Sequence, residues 1–271
     1  MHRFCGVAVL IAGAIAAQPV LASDLVTEPV HSSQWTVTLG AEGSAVPNFY
    51  GSDRYVFRPV PLIDIRPAGT PPRFHSPRES LGFGIYDTGR FRFGPVGKLI
   101  YPRKEGSDGN LQGLGDIGWG LELGAFADFW AFPWLRAHGE LRQGVGAHHG
   151  LVGDILVDAV VPITPQLTLS GGPRLTLESN AAVSPYFDIT PDQSIASGLP
   201  VYDAKGGVYS WGLGAQVRYA WTSQWTTYTY AEYQQLSGDV GNAPLVTQRG
   251  SRNQWQVGLG LTYSFDMPAL W

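Results

Sequence analysis

Apolar and polar residues alternate one by one along most of this chain. Between positions 207 and 221 the residues at alternate positions are Tyr209, Trp211, Leu213, Ala215, Val217, Tyr219 and Trp221. Successive side chains of a β-strand point to opposite faces, so this pattern predicts strands with one apolar and one polar face. Eleven segments follow the pattern to different degrees: 34–42, 54–66, 80–87, 90–101, 117–127, 134–143, 153–161, 166–178, 207–221, 225–237 and 253–265.

The length of these segments favours a membrane barrel over a soluble sandwich. Ordinary strands have about 5–6 residues, whereas a tilted strand needs about 9–11 residues to cross a bilayer. Several of the segments are that long. Aromatic residues also cluster beside short connections, as in the interfacial girdle of an outer-membrane barrel. They are Tyr86, Phe91, Phe126, Trp130, Phe132, Trp134, Trp221 and Trp225.

Charged residues occupy the polar face of several segments. An arginine on the lipid face near the bilayer midplane would cost roughly 2–4 kcal/mol. The charged face is therefore expected to line a polar lumen, and this requirement sets the register of each strand. The predicted polar row of the lumen consists of Arg136, His138, Glu140, Arg142, Arg174 and Arg218.

The connections alternate between short and long, as in antiparallel up-and-down barrels of the outer membrane. The short ones are 87–90, 127–133, 162–165 and 222–224, and the long ones are 102–116, 146–152, 179–206 and 238–252. Because bacterial single-chain barrels have an even strand number, we predict about 12 strands, with 10 as the alternative. The missed strand is expected within 43–80, where prolines obscure the pattern.

Composition and the N-terminal segment indicate an exported protein that does not bind nucleic acid. The net charge of −4 offers no basic surface. Residues 1–22 combine Arg3, an apolar core and small residues, which predicts a signal peptide cleaved after Ala22. Residues 23–271 are then expected to form a barrel in the outer membrane of a Gram-negative bacterium. Cys5, the only cysteine, leaves with the signal peptide.

No motif predicts a catalytic, metal or cofactor site. Gly113 to Gly118 matches G-x-G-x-x-G, but a strand rather than a helix is predicted after it. The adjacent pair His148 and His149 fits a solvated loop better than a metal site. His138 and Glu140 could act as a general acid/base pair, but a charge network with the neighbouring arginines is the favoured interpretation. We therefore predict a non-enzymatic protein without a cofactor.

The long connection 179–206 contains the signals of a short helix. Thr190 is expected to be the N-cap, with Pro191 in the first turn, Gln193 completing a capping box and Gly198 ending the helix. An ordered helix in a long loop predicts a lid, a plug or a binding surface. Its candidate residues are Tyr186, Phe187, Thr190, Pro191, Gly198, Leu199, Pro200, Tyr202 and Asp203.

Several stretches, in order and spacing, resemble the MltA-interacting protein / OmpV family of outer-membrane proteins. They are 47–53 with 58–64, 113–116, 186–187, 190–191, 197–204, 236–239, 244–246, 250–251 and 258–261. The motif residues singled out are Tyr50, Gly51, Ser52, Asp53, Gly238 and Asp239. The chain departs from the family ending by continuing for six residues after Phe265, so either Phe265 or Trp271 could be the terminal aromatic of an assembly signal.

The resemblance implies a barrel surrounded by outer-membrane lipid, with no defined catalytic residues. It further implies a scaffold that links a lytic transglycosylase to a murein synthase in peptidoglycan biosynthesis. Two alternatives remain open from the residues: a channel or small-ligand-binding barrel, suggested by the polar lumen, and a surface adhesin, suggested by the long loops. A lipid hydrolase using His138 is a further, less favoured hypothesis.

Overall fold

The computed structural model describes residues 34–268. The predicted signal peptide and its cleavage site after Ala22 lie outside the described residues. The same is true of Trp271, one of the two candidate terminal aromatics. Within them, no helix is both long enough and apolar enough to cross a membrane.

The described chain is an antiparallel β-structure, which confirms the predicted outer-membrane barrel class and the count of twelve strands. The long strands contain 10 to 16 residues. The strands are β1 (Gln34–Pro47), β2 (Tyr55–Pro67), β3 (Leu81–Gly82), β4 (Tyr86–Asp87), β5 (Phe91–Ile100), β6 (Gly120–Phe132), β7 (Leu135–Val145), β8 (Leu151–Pro162), β9 (Leu167–Glu178), β10 (Gly207–Ala220), β11 (Trp225–Leu236) and β12 (Asn253–Pro268).

The strands form one curled sheet in which sequential neighbours from β5 to β12 pair, and β12 then pairs with β1. Gln34 lies opposite Pro268, so the first and last strands of the described chain meet side by side. The sheet ends at β2 on one side and at β3 and β4 on the other, both of which pair with β5. Among the described residues, no β-ladder joins β2 to β3 or β4.

The expected extra strand within 43–80 was wrong. Within 43–80 the structure has the continuation of β1 to Pro47 and the strand β2, which corresponds to the predicted segment 54–66, and residues 68–80 form no strand. Instead, the predicted segment 80–87 is interrupted and appears as the two short strands β3 and β4. Residues 68–80 form no strand because Pro71, Pro72 and Pro77, like Pro67 before them, have no backbone N–H to donate to a ladder.

The outer face of the sheet is an apolar band with aromatic residues at both edges. On β12 the band runs from Trp255 to Tyr263, which corresponds to about 26 Å along the strand. For a strand tilted by about 35–45°, this length corresponds to a height of about 20 Å, somewhat less than the apolar band of about 25 Å in outer-membrane barrels. Near the short turns, Phe132, Trp134 and Trp221 are exposed on this face, in agreement with a girdle, whereas the predicted girdle residue Phe126 is buried on the inner face against His138.

The long connections pack together over the other end of the barrel, and we call them the outer cap (48–54, 101–119, 179–206 and 237–252). Its helices are α1 (Asn180–Phe187), α2 (Pro191–Ser197), α3 (Gly238–Asn242) and α4 (Pro244–Arg249). The predicted capping box of α2 is present, with Thr190 as N-cap, and Gly198 ends the helix at φ 75°. Two clusters of buried apolar residues hold the cap together, one around Phe187 and Val240 and the other around Leu111 and Leu245.

Candidate functional site

Residues 68–80, which we call the luminal segment, run inside the barrel. Both β2 and β4 end at the short-turn end, whereas β3 begins opposite Gly97, six residues above the start of β5. The chain must therefore climb about 20 Å through the interior between Pro67 and Leu81. Side chains of this segment contact the inner faces of several strands.

The predicted polar row on β7 lies against this segment and is buried. Arg136, His138, Glu140 and Arg142 retain only 1%, 4%, 6% and 1% of their exposure. The Arg136 guanidinium pairs with Glu79 of the luminal segment. Ser80 donates two hydrogen bonds to Glu140, from its backbone N at 2.9 Å and from Oγ at 2.7 Å. The row thus binds a part of the chain rather than bulk water.

His138 is held through both of its ring nitrogens. Nδ1 lies 2.6 Å from Asp128 and Nε2 lies 3.0 Å from Glu140. Phe126 stacks on the ring with centroids 5.8 Å apart. Since both nitrogens already face carboxylates, this histidine has no free ring position for a substrate, and the arrangement is that of a structural charge network.

The network continues along the wall toward the outer cap. The Arg142 guanidinium donates to Glu122 at 2.7 Å and to Asp154 at 2.6 Å, and it also pairs with Glu140. His148, in the connection after β7, lies 3.0 Å from Glu122. A buried charge is tolerated only when it is paired and hydrogen-bonded. The four row residues on β7 meet this condition.

Arg78 anchors the luminal segment to the opposite part of the wall. Its guanidinium donates to Glu232 on β11 at 2.7 Å and to Asp154 on β8 at 3.1 Å, and it also bonds Thr176. On β9, Arg174 donates to Ser76 at 3.1 Å and to Asp158 at 2.6 Å. The luminal segment therefore cross-links strands that are far apart in the sheet.

Arg218 differs from the other predicted members of the row. It lies on β10 near the short-turn end, and its guanidinium forms no hydrogen bond or ion pair with any described residue. Arg66 on β2 lies close enough to affect it electrostatically, and Arg66 itself pairs with Asp64 at 2.8 Å. Arg218 lines the remaining cavity instead of joining the network.

A cavity of about 2130 Å³ occupies the part of the lumen that the luminal segment leaves free. It extends from Tyr50 and Tyr186, beneath the outer cap, to Arg90 and Pro133 at the short turns. At the cap end the rings of Tyr50 and Tyr186 pack edge to face with centroids 5.0 Å apart. The cavity thus ends on a layer of aromatic rings below the cap.

The structure divides the predicted loop residues between the interior and the surface of the outer cap. Tyr186 is buried and Tyr202 is half-buried, whereas Thr190, Pro191, Gly198 and Pro200 are exposed. Phe187 and Leu199 are buried, and the Tyr202 hydroxyl donates to the backbone oxygen of Asp239 at 2.8 Å. Asp203 instead pairs with Lys205 at the surface. The Arg103 guanidinium donates to the backbone oxygen of Tyr186 at 2.8 Å, and burial lowers the pKa of Arg103 to about 10.

The motif residues of 50–53 also belong to the cap. Gly51 has φ 91° and donates from its backbone N to Gln254 Oε1 at 3.2 Å, while Ser52 is fully buried. Asp53 accepts a weak hydrogen bond from Asn110 at 3.5 Å. They connect the β1–β2 turn to β12 and to neighbouring loops, so the structure brings them near the 186–203 set and apart from the β7 row.

Sequence reasoning missed the acidic partners of the row and the luminal segment. The sequence does contain a signal for these acidic partners. In the antiparallel register, Asp128 on β6 lies opposite His138, and Asp158 on β8 lies opposite Arg136. Cross-strand pairs of opposite charge are a recognised source of sheet stability. No sequence signal shows that residues 76–80 enter the lumen.

Among the described residues, no group of three or more His, Cys, Asp or Glu side chains has the arrangement of a metal site.

A search of curated proteins found no match. Among solved structures, the chain is similar to an outer membrane channel from Pseudomonas putida F1, with 12% identity over 86% of this chain and 95% of that chain and a TM-score of 0.44. It is also similar to the NanC porin, with 10% identity over 85% of this chain and 100% of that chain and a TM-score of 0.41.

The family comparison covers nearly the whole wall described above. The model of MltA-interacting protein MipA matches residues 39–265, which reach from β1 to β12 and include the luminal segment and the outer cap. The chain therefore belongs to the MltA-interacting protein MipA family of outer-membrane barrels.

Proposed function

We propose that this protein is a non-enzymatic scaffold of the outer membrane that holds murein-remodelling enzymes on its periplasmic side. The observation that carries the proposal is the obstruction of the barrel. The outer cap covers one end with packed apolar clusters, and the luminal segment is fixed across the interior by buried ion pairs. Such a barrel is better suited to hold partners than to conduct solutes.

The family description supports the choice of partner, since it names an interaction with MltA, a murein enzyme. The short turns define the periplasmic end. β1 begins at this end, opposite the end of β12, so a mature N-terminal segment 23–33 would be attached beside the turns. We propose that signal cleavage after Ala22 exposes this segment and that it contributes to the docking surface.

Affinity purification from cross-linked cell envelopes tests the scaffold. We expect the full protein to enrich a lytic transglycosylase and a murein synthase, and a variant lacking 23–33 to lose them. A matched control replaces 191–197 of the outer cap with a Gly-Ser linker and should retain both. If neither enzyme is enriched by the full protein, the scaffold proposal is wrong.

A second candidate is a ligand-binding barrel or channel, and the cavity of about 2130 Å³ favours it. Planar-bilayer recording separates the two. The scaffold predicts no stepwise conductance for the intact protein, whereas a channel predicts steps that change when Arg78→Ala removes one of the anchors of the luminal segment. Stepwise conductance in the intact protein would favour the channel.

A further inference from the structure

Away from the strand ends, where it also touches the outward-facing Trp35, Phe132 and Trp255, the cavity reaches both faces of the wall only between β2 and the β3–β5 side of the sheet. On β11 it contacts only inward-facing residues such as Thr226 and Glu232. On β2 it contacts the outward-facing Ile63 and Ile65 as well as the inward-facing Asp64. A cavity enclosed by a continuous wall cannot touch lipid-facing side chains. It therefore opens toward the bilayer here, through a gap that we call the lateral seam.

Apolar side chains border the lateral seam on both sides. Leu81 and Phe83, beside β5, are 77% and 69% exposed and line the same cavity. Across the gap, Ile63 and Ile65 of β2 are 64% and 57% exposed. The opening would therefore contact the hydrocarbon region of the membrane through apolar surface, which suits an acyl chain better than a polar solute.

The edge of β2 is built to remain unpaired. Pro59, Pro61 and Pro67 lie at alternate positions, opposite residues of β1 in the antiparallel register. A proline cannot donate to a ladder, so it occupies the positions whose backbone N points away from the paired neighbour. The free edge thus lacks donors at each of these positions, which hinders strand addition and keeps the lateral seam open.

The cavity that opens at the lateral seam is lined by cations without carboxylate partners among the described residues. Arg218 makes no ion pair, and Arg58 lies over the Tyr101 ring, 4.5 Å from its centroid. Arg218 is two residues from the end of β10 at the short turns. Ile65 is likewise two residues from the end of β2 at the same end of the barrel. This depth corresponds to the headgroup level of the periplasmic leaflet, and the apolar rim of the lateral seam extends from Ile65 into the membrane as far as Leu81.

We propose that the lateral seam admits the apolar chain of an anionic amphiphile from the bilayer, and that Arg218 binds its anionic group. Charge complementarity selects an anion, and the apolar rim selects a long hydrocarbon chain. The binding site is separate from the docking surface proposed above and does not depend on it.

Lipid access is tested with single cysteines in a Cys5→Ser background, labelled with bimane in liposomes that contain brominated phospholipids. The test position is Leu62→Cys, which faces the lumen on β2 beside the lateral seam. Leu213→Cys on the lipid face is the quenched control, and Ser170→Cys, in the lumen on β9, is the protected control. We expect the label at 62 to be quenched. Protection at 62 equal to that at 170 would overturn the open seam.

Ligand binding is tested with 11-(dansylamino)undecanoic acid added to the full protein in detergent. We expect Arg218→Gln to weaken binding of the acid at least tenfold, and Lys205→Gln on the exposed cap to leave it unchanged. The methyl ester of the same probe should bind the intact protein and Arg218→Gln equally. Equal affinity of the acid for both proteins, or no binding to the intact protein, would overturn the site. Neither assay contains a murein enzyme, so a failure here is distinct from a failure of the scaffold.

Discussion

Removal of the Glu79 carboxylate should destabilise the folded barrel, because this group fixes the luminal segment to β7. The side chains of Glu79 and Arg136 are 5% and 1% exposed. Glu79→Gln leaves the Arg136 guanidinium with Asp128 as its closest carboxylate. Breaking a buried ion pair from one side costs about 3–5 kcal/mol. Because Asp128 remains, we expect a loss at the lower end, about 3 kcal/mol in the free energy of unfolding.

Urea unfolding in detergent micelles, followed by tryptophan fluorescence and circular dichroism, measures this change. With a slope of about 2 kcal/mol per molar urea, the midpoint should fall by about 1.5 M. The matched control is Asp203→Asn, which removes a carboxylate paired with Lys205 at the surface. Exposed ion pairs contribute little, so its midpoint should stay unchanged.

The comparison of the two variants shows whether the buried pair of Glu79 and Arg136 stabilises the barrel. If Glu79→Gln unfolds at the same urea concentration as Asp203→Asn, the luminal segment is not held by the buried pair and the reasoning fails. A shift confined to fluorescence, with unchanged circular dichroism, would also contradict it, since the segment is expected to stabilise the whole sheet through its contacts with several strands.

Three further changes test other parts of the structure. Thr190→Ala removes the N-cap of α2 and should cost about 1 kcal/mol, seen as faster amide exchange in 191–197; unchanged exchange would contradict the capping role. Gly113→Ala should loosen the outer cap by about 1–3 kcal/mol, because φ is 83° and a Cβ would meet Ser197 N at 2.5 Å; native exchange rates in the cap would refute this. Pro61→Val restores an N–H to the β2 edge and should promote dimers in light scattering, whereas an unchanged monomer would argue against the edge's protection.

Much of the wall could be predicted from the sequence, because its information is local. Alternation along the chain shows which side chains share a face, and the cost of placing arginine in lipid shows which face is inside. The polar row on β7 therefore appears in the sequence before any contact is known. The α2 helix can be predicted for the same reason, because its capping residues Thr190, Gln193 and Gly198 are all within or directly beside the helix in the sequence.

Only the tertiary structure decided what fills and closes the barrel. The bond between Arg78 and Glu232 joins residues 154 positions apart, and nothing in their immediate neighbours indicates that they meet. The position of residues 68–80 in the lumen, the packing of the outer cap and the lateral seam all depend on such distant contacts. Periodicity describes which way a side chain points from its own strand, but the pairing of buried charges requires that separate strands first curl around a common interior.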